Sequence, residues 1–179
     1  YLPQHDFIYP EIALRQKSAK FIFIERKLSF EGKLLERLAG EFEKYGLNAD
    51  DYCILLPAQS LKDYLMLMML VDVNLDTIGF SGGHTTFDAV ACGLPTVTYP
   101  GEFMRGRQSY GILKVLGVED TIATSLEHYI EIAVRLGYDV QWREGIKRRM
   151  LERHDFLFED TECVKALDQF LTQAILEKM

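Results

Sequence analysis

The sequence is short of several features that would mark the commoner ligand chemistries. It has three cysteines in 179 residues, Cys53, Cys92 and Cys163. Each lies in an apolar setting and none forms a C-x-x-C pair, which argues against a disulfide framework or a thiolate metal site and for buried free thiols in a reducing compartment. Of the four histidines, His5, His128 and His154 are scattered without ligand spacing and are expected at the surface. Positive charge is in the minority, with 20 Lys and Arg against 27 Asp and Glu and a net charge of −7. That balance excludes a broad phosphate-tracking face, so nucleic acid is not an expected partner. No apolar run reaches the roughly 18 residues that a membrane-spanning helix needs, and no basic-then-apolar leader stands at Tyr1; a cytoplasmic chain with no membrane partner is the expectation. The Gly-Lys-Ser/Thr of an ATPase phosphate loop, the three-glycine dinucleotide fingerprint and an Asp-x-Asp pair for a metal-bridged diphosphate are all missing. Neither a resident cofactor nor a metal is therefore expected.

What is there suits one packed domain. Residues 1–179, 48% hydrophobic and 26% charged, suffice for a single core and are short for two; the abrupt opening "YLPQHDFIYP" suggests a piece of a longer protein. Strand-like runs "KFIFIE", "DYCILLP", "DVNLD" and "PTVTYP" alternate with helical patterns. Leu34, Leu35, Leu38 and Phe42 share one face of a helix that should stop at Gly46, and Ser60 is placed to cap "LKDYLMLMMLV". That segment is apolar nearly all round and is expected deep in the core, its methionines as packing. Beyond Pro100 the pattern is largely helical and ends in a helix over residues 161–179. The alternation predicts an α/β fold with a parallel sheet and helices on both faces.

In such a sheet ligands sit beyond the carboxyl ends of the strands, at helix N-termini. "SGGHTTFDAV", residues 81–90, falls there. Gly82 and Gly83 let the backbone approach a ligand, Thr85 and Thr86 offer hydroxyls and N–H groups at the positive end of a helix, and His84 adds a further donor. A diphosphate cradle is one reading of these residues; an ordinary strand-to-helix turn capped by Thr is the other.

The wider order "LDT", "GGHTT", "GLPTVT", "PGE" resembles the C-terminal half of the O-GlcNAc transferase family, which includes SPINDLY-like plant enzymes and tetratricopeptide-linked bacterial ones. The likeness runs from about Tyr1 to Arg153 and is densest from Asp72 to Arg107. It implies the nucleotide-sugar-binding, Rossmann-like C-terminal domain of a two-domain GT-B glycosyltransferase. In that family the positions of Gly83, His84, Thr85 and Thr86 meet the diphosphate, and an acidic residue on the same helix binds the ribose; Asp88 is its counterpart here, one place closer to the threonines than in animal enzymes. The base would be read by a backbone contact at Gln59 and a ring at Tyr64, which stands where animal enzymes have histidine and which is equally acceptable as a core aromatic. Arg105 and Arg107 stay unassigned between the cleft, a phosphate, an acceptor and solvent.

The resemblance implies metal-independent, inverting transfer of GlcNAc from UDP-GlcNAc to Ser or Thr of a protein. A glutamine and a lysine, with the catalytic half and the tetratricopeptide repeats, belong to the family upstream of the residue matching Tyr1. This chain would then hold no catalytic residue, would pair with the N-terminal half of its own polypeptide, and would bind donor without turnover. GDP-fucose or UDP-glucose as donor, Asn as acceptor, and a non-catalytic nucleotide-binding scaffold are the alternatives.

Overall fold

The computed structural model describes residues 1–24 and 31–177, with backbone alone at positions 31 and 32. Glu25 of the first expected strand, Phe30 ahead of the second helix, and Lys178 and Met179 of the terminal one lie outside the described residues. Among the described residues four short strands alternate with helices: α1 Ile8–Arg15, β1 Phe21–Ile24, α2 Glu31–Lys44, β2 Cys53–Leu56, α3 Leu61–Leu70, β3 Asn74–Leu75, α4 His84–Ala91 and β4 Thr96–Val97. Helices α5 Gln108–Leu116, α6 Leu126–Tyr138, α7 Val140–Arg153, α8 Asp155–Phe158 and α9 Glu162–Leu176 follow.

The pairing is parallel, as the helix between each two strands requires. β1 lies on β2 with Phe21 opposite Cys53, β3 on β4 with Asn74 opposite Thr96, and a parallel bridge from Thr98 to Ile122 extends the second pair. The expected single sheet is thus two hydrogen-bonded pairs among the described residues. β3 and β4 are two residues each, because the chain leaves both strands early for the loops that build the site.

Local chemistry sets several helix ends. Ser60 Oγ accepts the Asp63 N–H at 3.2 Å, the expected cap of α3. Gly93, after α4, sits at φ +66°, where a side chain would be strained and would also press on Leu151. Leu38 and Phe42 of α2 are sealed in the core with Val90, Val97, Leu113, Leu116, Ile130, Leu136, Ile146 and Met150, and α1 packs on α6, α6 on α7, and α4 on both α5 and α7.

Three expectations are corrected. The apolar helix α3 is not deep: Met68 is buried, whereas Leu61, Met66, Met69 and Leu70 face outward, Leu70 at 79% exposure. Cys163 lies exposed on α9, while Cys53 and Cys92 are half-buried, and burial lifts the Cys53 thiol to about 11. His5 is only partly accessible, and its Nδ1 is buried with no hydrogen-bond partner; burial lowers its pKa against the opposing effect of Asp6.

Candidate functional site

The turn between β3 and α4 is held from behind by a buried polar network. Asp76, 6% exposed, stands just past β3 and can only accept. Its Oδ1 takes the Gly82 N–H at 2.7 Å, and its Oδ2 takes the hydroxyls of Ser81 at 2.8 Å and Thr98 at 2.5 Å. Ser81 Oγ accepts the Ser109 N–H at 2.9 Å, which ties the first turn of α5 to the same loop. Thr86 Oγ1 donates to the Gly82 carbonyl at 2.8 Å and lies 2.8 Å from Ser109 Oγ. Behind the carboxylate, the Tyr129 hydroxyl donates to the Asp76 carbonyl at 3.0 Å, and burial holds that phenol well above its usual pKa. Each buried polar atom here has a partner, so the network costs little and fixes the loop.

The front of the same turn is open at His84 and Thr85, while Gln108 lies over Gly83. Gly83 caps α4 at φ −96°, ψ −85°; its carbonyl accepts the N–H groups of Thr86 at 3.0 Å and Phe87 at 3.2 Å. The N–H groups of Gly83, His84 and Thr85 have no acceptor among the described residues, as expected where a helix begins. His84 and Thr85 are exposed, whereas Thr86 is fully buried. The three residues read together in the sequence therefore divide: two stand at the mouth, and the third shapes the loop from inside. The uncompensated N–H groups and the helix dipole make this mouth attractive to an anion.

The remaining sequence-derived residues lie around it. Asp88, partly exposed, is one turn beyond His84 on the same face of α4; its charge, after burial, helps raise the Cys92 thiol. Tyr64 of α3 is half-buried and packs on the small cluster of Met68, Ala89 and Leu94, which joins α3 to α4 next to Asp88. Gln59 follows β2, and its amide Nε2 donates to the Pro57 carbonyl at 2.6 Å, closing its own turn. Asp76, Ser81, Thr98 and Ser109 were not foreseen as a group. Only the run "LDT" hinted at Asp76, because the partners of its carboxylate lie up to 22 positions along the chain.

Two further features border the mouth. Gln108, at the start of α5, lies over Gly83 so closely that a methyl on that glycine would collide with the Gln108 amide oxygen. A narrow crevice, with room for little more than a water molecule, lies between Tyr1, Leu2 and His5 and the exit of β3 at Asp76, Thr77 and Ile78, and a methyl on Gly79 would meet Leu2 Cδ1 at 2.7 Å. No cluster of three metal-ligating side chains occurs among the described residues, and no described helix is long and apolar enough to cross a membrane.

Comparison with known proteins gives this geometry a context. The model of "Glycosyl transferase family 41" matches residues 34–165. A tomato (Solanum lycopersicum) protein named "Probable UDP-N-acetylglucosamine--peptide N-acetylglucosaminyltransferase SPINDLY" is 26% identical over 117 residues, 65% of this chain and 13% of its own. A "UDP-N-acetylglucosamine--peptide N-acetylglucosaminyltransferase" of Caenorhabditis elegans is 34% identical over 107 residues, 58% of this chain and 9% of its own. A solved structure of a mutant Thermobaculum terrenum O-GlcNAc transferase superposes with a TM-score of 0.76 at 28% identity, over 86% of this chain and 30% of that one. The chain thus corresponds to a minor part of each of these proteins.

Proposed function

Because the chain belongs to glycosyl transferase family 41, we propose that it is the donor-binding part of a protein glycosyltransferase, holding the pyrophosphate of a UDP-sugar at the leading turn of α4. The observation that carries the reading is the division of that turn, with its rear locked by Asp76, Ser81, Thr86 and Ser109 and its front left with unanswered N–H groups. Asp88 would take the ribose hydroxyls, and Tyr64 with the backbone at Gln59 would border the base. The sugar transferred is N-acetylglucosamine and the acceptor a peptide, in line with the names of the relatives; the accepting group in this reading is a Ser or Thr hydroxyl.

The contribution of these residues to catalysis is electrostatic. As the bond from the sugar to the pyrophosphate breaks, negative charge grows on the departing UDP, and fixed N–H donors stabilise that growth without having to reorganise. No metal is needed in this scheme. The outward apolar sides of α3 and α9, including Met69, Leu70, Val164, Leu167 and Phe170, would pack on the upstream part of the polypeptide, which supplies the catalytic groups.

Calorimetric titration of UDP, GDP, uridine and 2′-deoxy-UDP into the full-length protein tests the reading. UDP is expected to bind at least about tenfold more tightly than GDP and than uridine, a difference of about 1.4 kcal/mol, and Asp88→Asn should abolish the preference for UDP over its 2′-deoxy form. A GDP preference would move the donor to the fucose class. Absence of binding by any of them at millimolar concentration would point to the scaffold alternative.

A further inference from the structure

The loops leaving β3 and β4, residues 76–83 and 98–107, are fastened to each other before either reaches its helix. Ser81 donates its N–H to the Arg105 carbonyl at 2.7 Å, and Gly101 donates to the Gly106 carbonyl at 2.7 Å, closing the second loop on itself. The two meet backbone to backbone: a methyl on Gly106 would lie 3.4 Å from the Cα atoms of both Gly79 and Gly101. A methyl would just fit at Gly106, whereas Gly79, at φ +83°, favours glycine, so the contact suits small residues.

This fixed platform holds large apolar groups in solvent. Phe80 is 69% exposed, Phe103 61% and Met104 78%. The Arg105 guanidinium lies 5.2 Å from the centre of the Phe103 ring, and that of Arg107 5.1 Å from the Tyr110 ring. Neither arginine has a carboxylate partner among the described residues. In a chain of net charge −7, loop 98–107 carries Arg105 and Arg107 against the exposed Glu102, which leaves a local aromatic spot of net positive charge. Exposed aromatics, Met and Arg on rigid backbone are the composition of interface centres.

Its position suggests the occupant. The platform adjoins the α4 mouth, since Ser81 belongs to both and Gln108, directly after Arg107, covers Gly83. A hydroxyl that receives a sugar must reach the carbon bonded to the pyrophosphate, so the polypeptide bearing it has to cross the border of the donor site. Resting on the donor-site reading above, we infer that Phe80, Phe103, Met104 and Arg105 form the acceptor-docking rim, which takes an extended peptide with an apolar side chain against the two rings and a carboxylate against Arg105. The rest of this acidic chain repels such a peptide, and the guanidinium sets where its acidic residue comes to rest.

The test uses the full-length protein with a panel of acceptor peptides that are acidic, neutral or basic beside the acceptor hydroxyl. UDP affinity and the slow hydrolysis of donor without acceptor are measured alongside. The double variant Phe103→Ser with Met104→Ser should raise acceptor KM at least about fivefold, with UDP affinity and donor hydrolysis changed by less than about twofold. Arg105→Glu should reverse the order of acidic and basic peptides, a result that misfolding does not produce. Acceptor KM unchanged in both variants overturns the inference, as does UDP affinity falling in step with KM, which would assign the loop to the donor. A lower melting temperature with KM unmoved also overturns it, since the rim would then be covered by the protein's own upstream part. If the unaltered protein neither binds UDP nor hydrolyses donor, it is the donor-site reading that fails.

Discussion

The two sides of the first turn of α4 differ in almost every physical respect. Toward the interior, Thr86 and Ser109 are wholly inaccessible, and their hydroxyls are committed to Gly82 and to one another. Toward solvent, one residue away, His84 and Thr85 are exposed and the N–H groups of the turn are unanswered. Adjacent residues in one motif therefore stand in separate settings: the inner ones hold the loop in place, and the outer ones stand at its solvent side. Stability and binding should come apart when the two sides are altered separately.

The largest effect is expected from Asp76→Ala. Removing the carboxylate leaves the Ser81 and Thr98 hydroxyls and the Gly82 N–H without their acceptor in a buried site, a cost of about 2–4 kcal/mol in urea denaturation, with UDP binding lost because the loop loosens. Thr86→Val, which keeps the shape and deletes the hydroxyl, should cost about 1–2 kcal/mol and weaken UDP only through the loop. If it proved neutral to stability and selective against UDP, the assignment of Thr86 to the interior would be wrong.

The outer side should answer in the opposite way. His84→Ala with Thr85→Ala is expected to leave stability within about 0.5 kcal/mol and to weaken UDP about tenfold while sparing uridine; equal losses for both ligands would remove the diphosphate from this turn. The smallest effect expected is at a third place, remote from both sides. The Asp139 carboxyl caps α7 by accepting the Trp142 N–H at 3.0 Å. That bond first, and then Arg135, holds it below its ordinary value of 3.8. A depressed carboxylate adds stability that is present above the unfolded value and lost as pH falls through the folded one. Asp139→Asn should therefore melt slightly earlier at pH 7, with the difference closing below about pH 3.8; a gap that persisted in acid would mean that the side chain acts by shape and not by charge.

Helix and strand positions were largely legible in the sequence because they depend on near neighbours. The spacing of Leu34, Leu35, Leu38 and Phe42, the cap at Ser60 and the stops at Gly46 and Gly93 rest on contacts within a turn or two. The α3 helix shows where that reasoning ends. Its apolar composition says that its faces avoid water, but not what will cover them, and among the described residues Met66, Met69 and Leu70 remain open. The Asp76 network was out of reach for the same reason: Ser81 and Ser109 are 28 positions apart, and no local pattern marks two serines as future partners.

The amino-acid sequence by itself determined that this is an α/β chain with a glycine- and hydroxyl-rich turn at Gly82–Thr86, since glycine freedom, hydroxyl placement and apolar period are local properties. Only the tertiary structure decided which of those hydroxyls face solvent and which face the core. That choice depends on Asp76, Thr98 and Ser109 arriving from separate elements to satisfy the buried side, and a buried polar group must find its partner wherever the fold brings one.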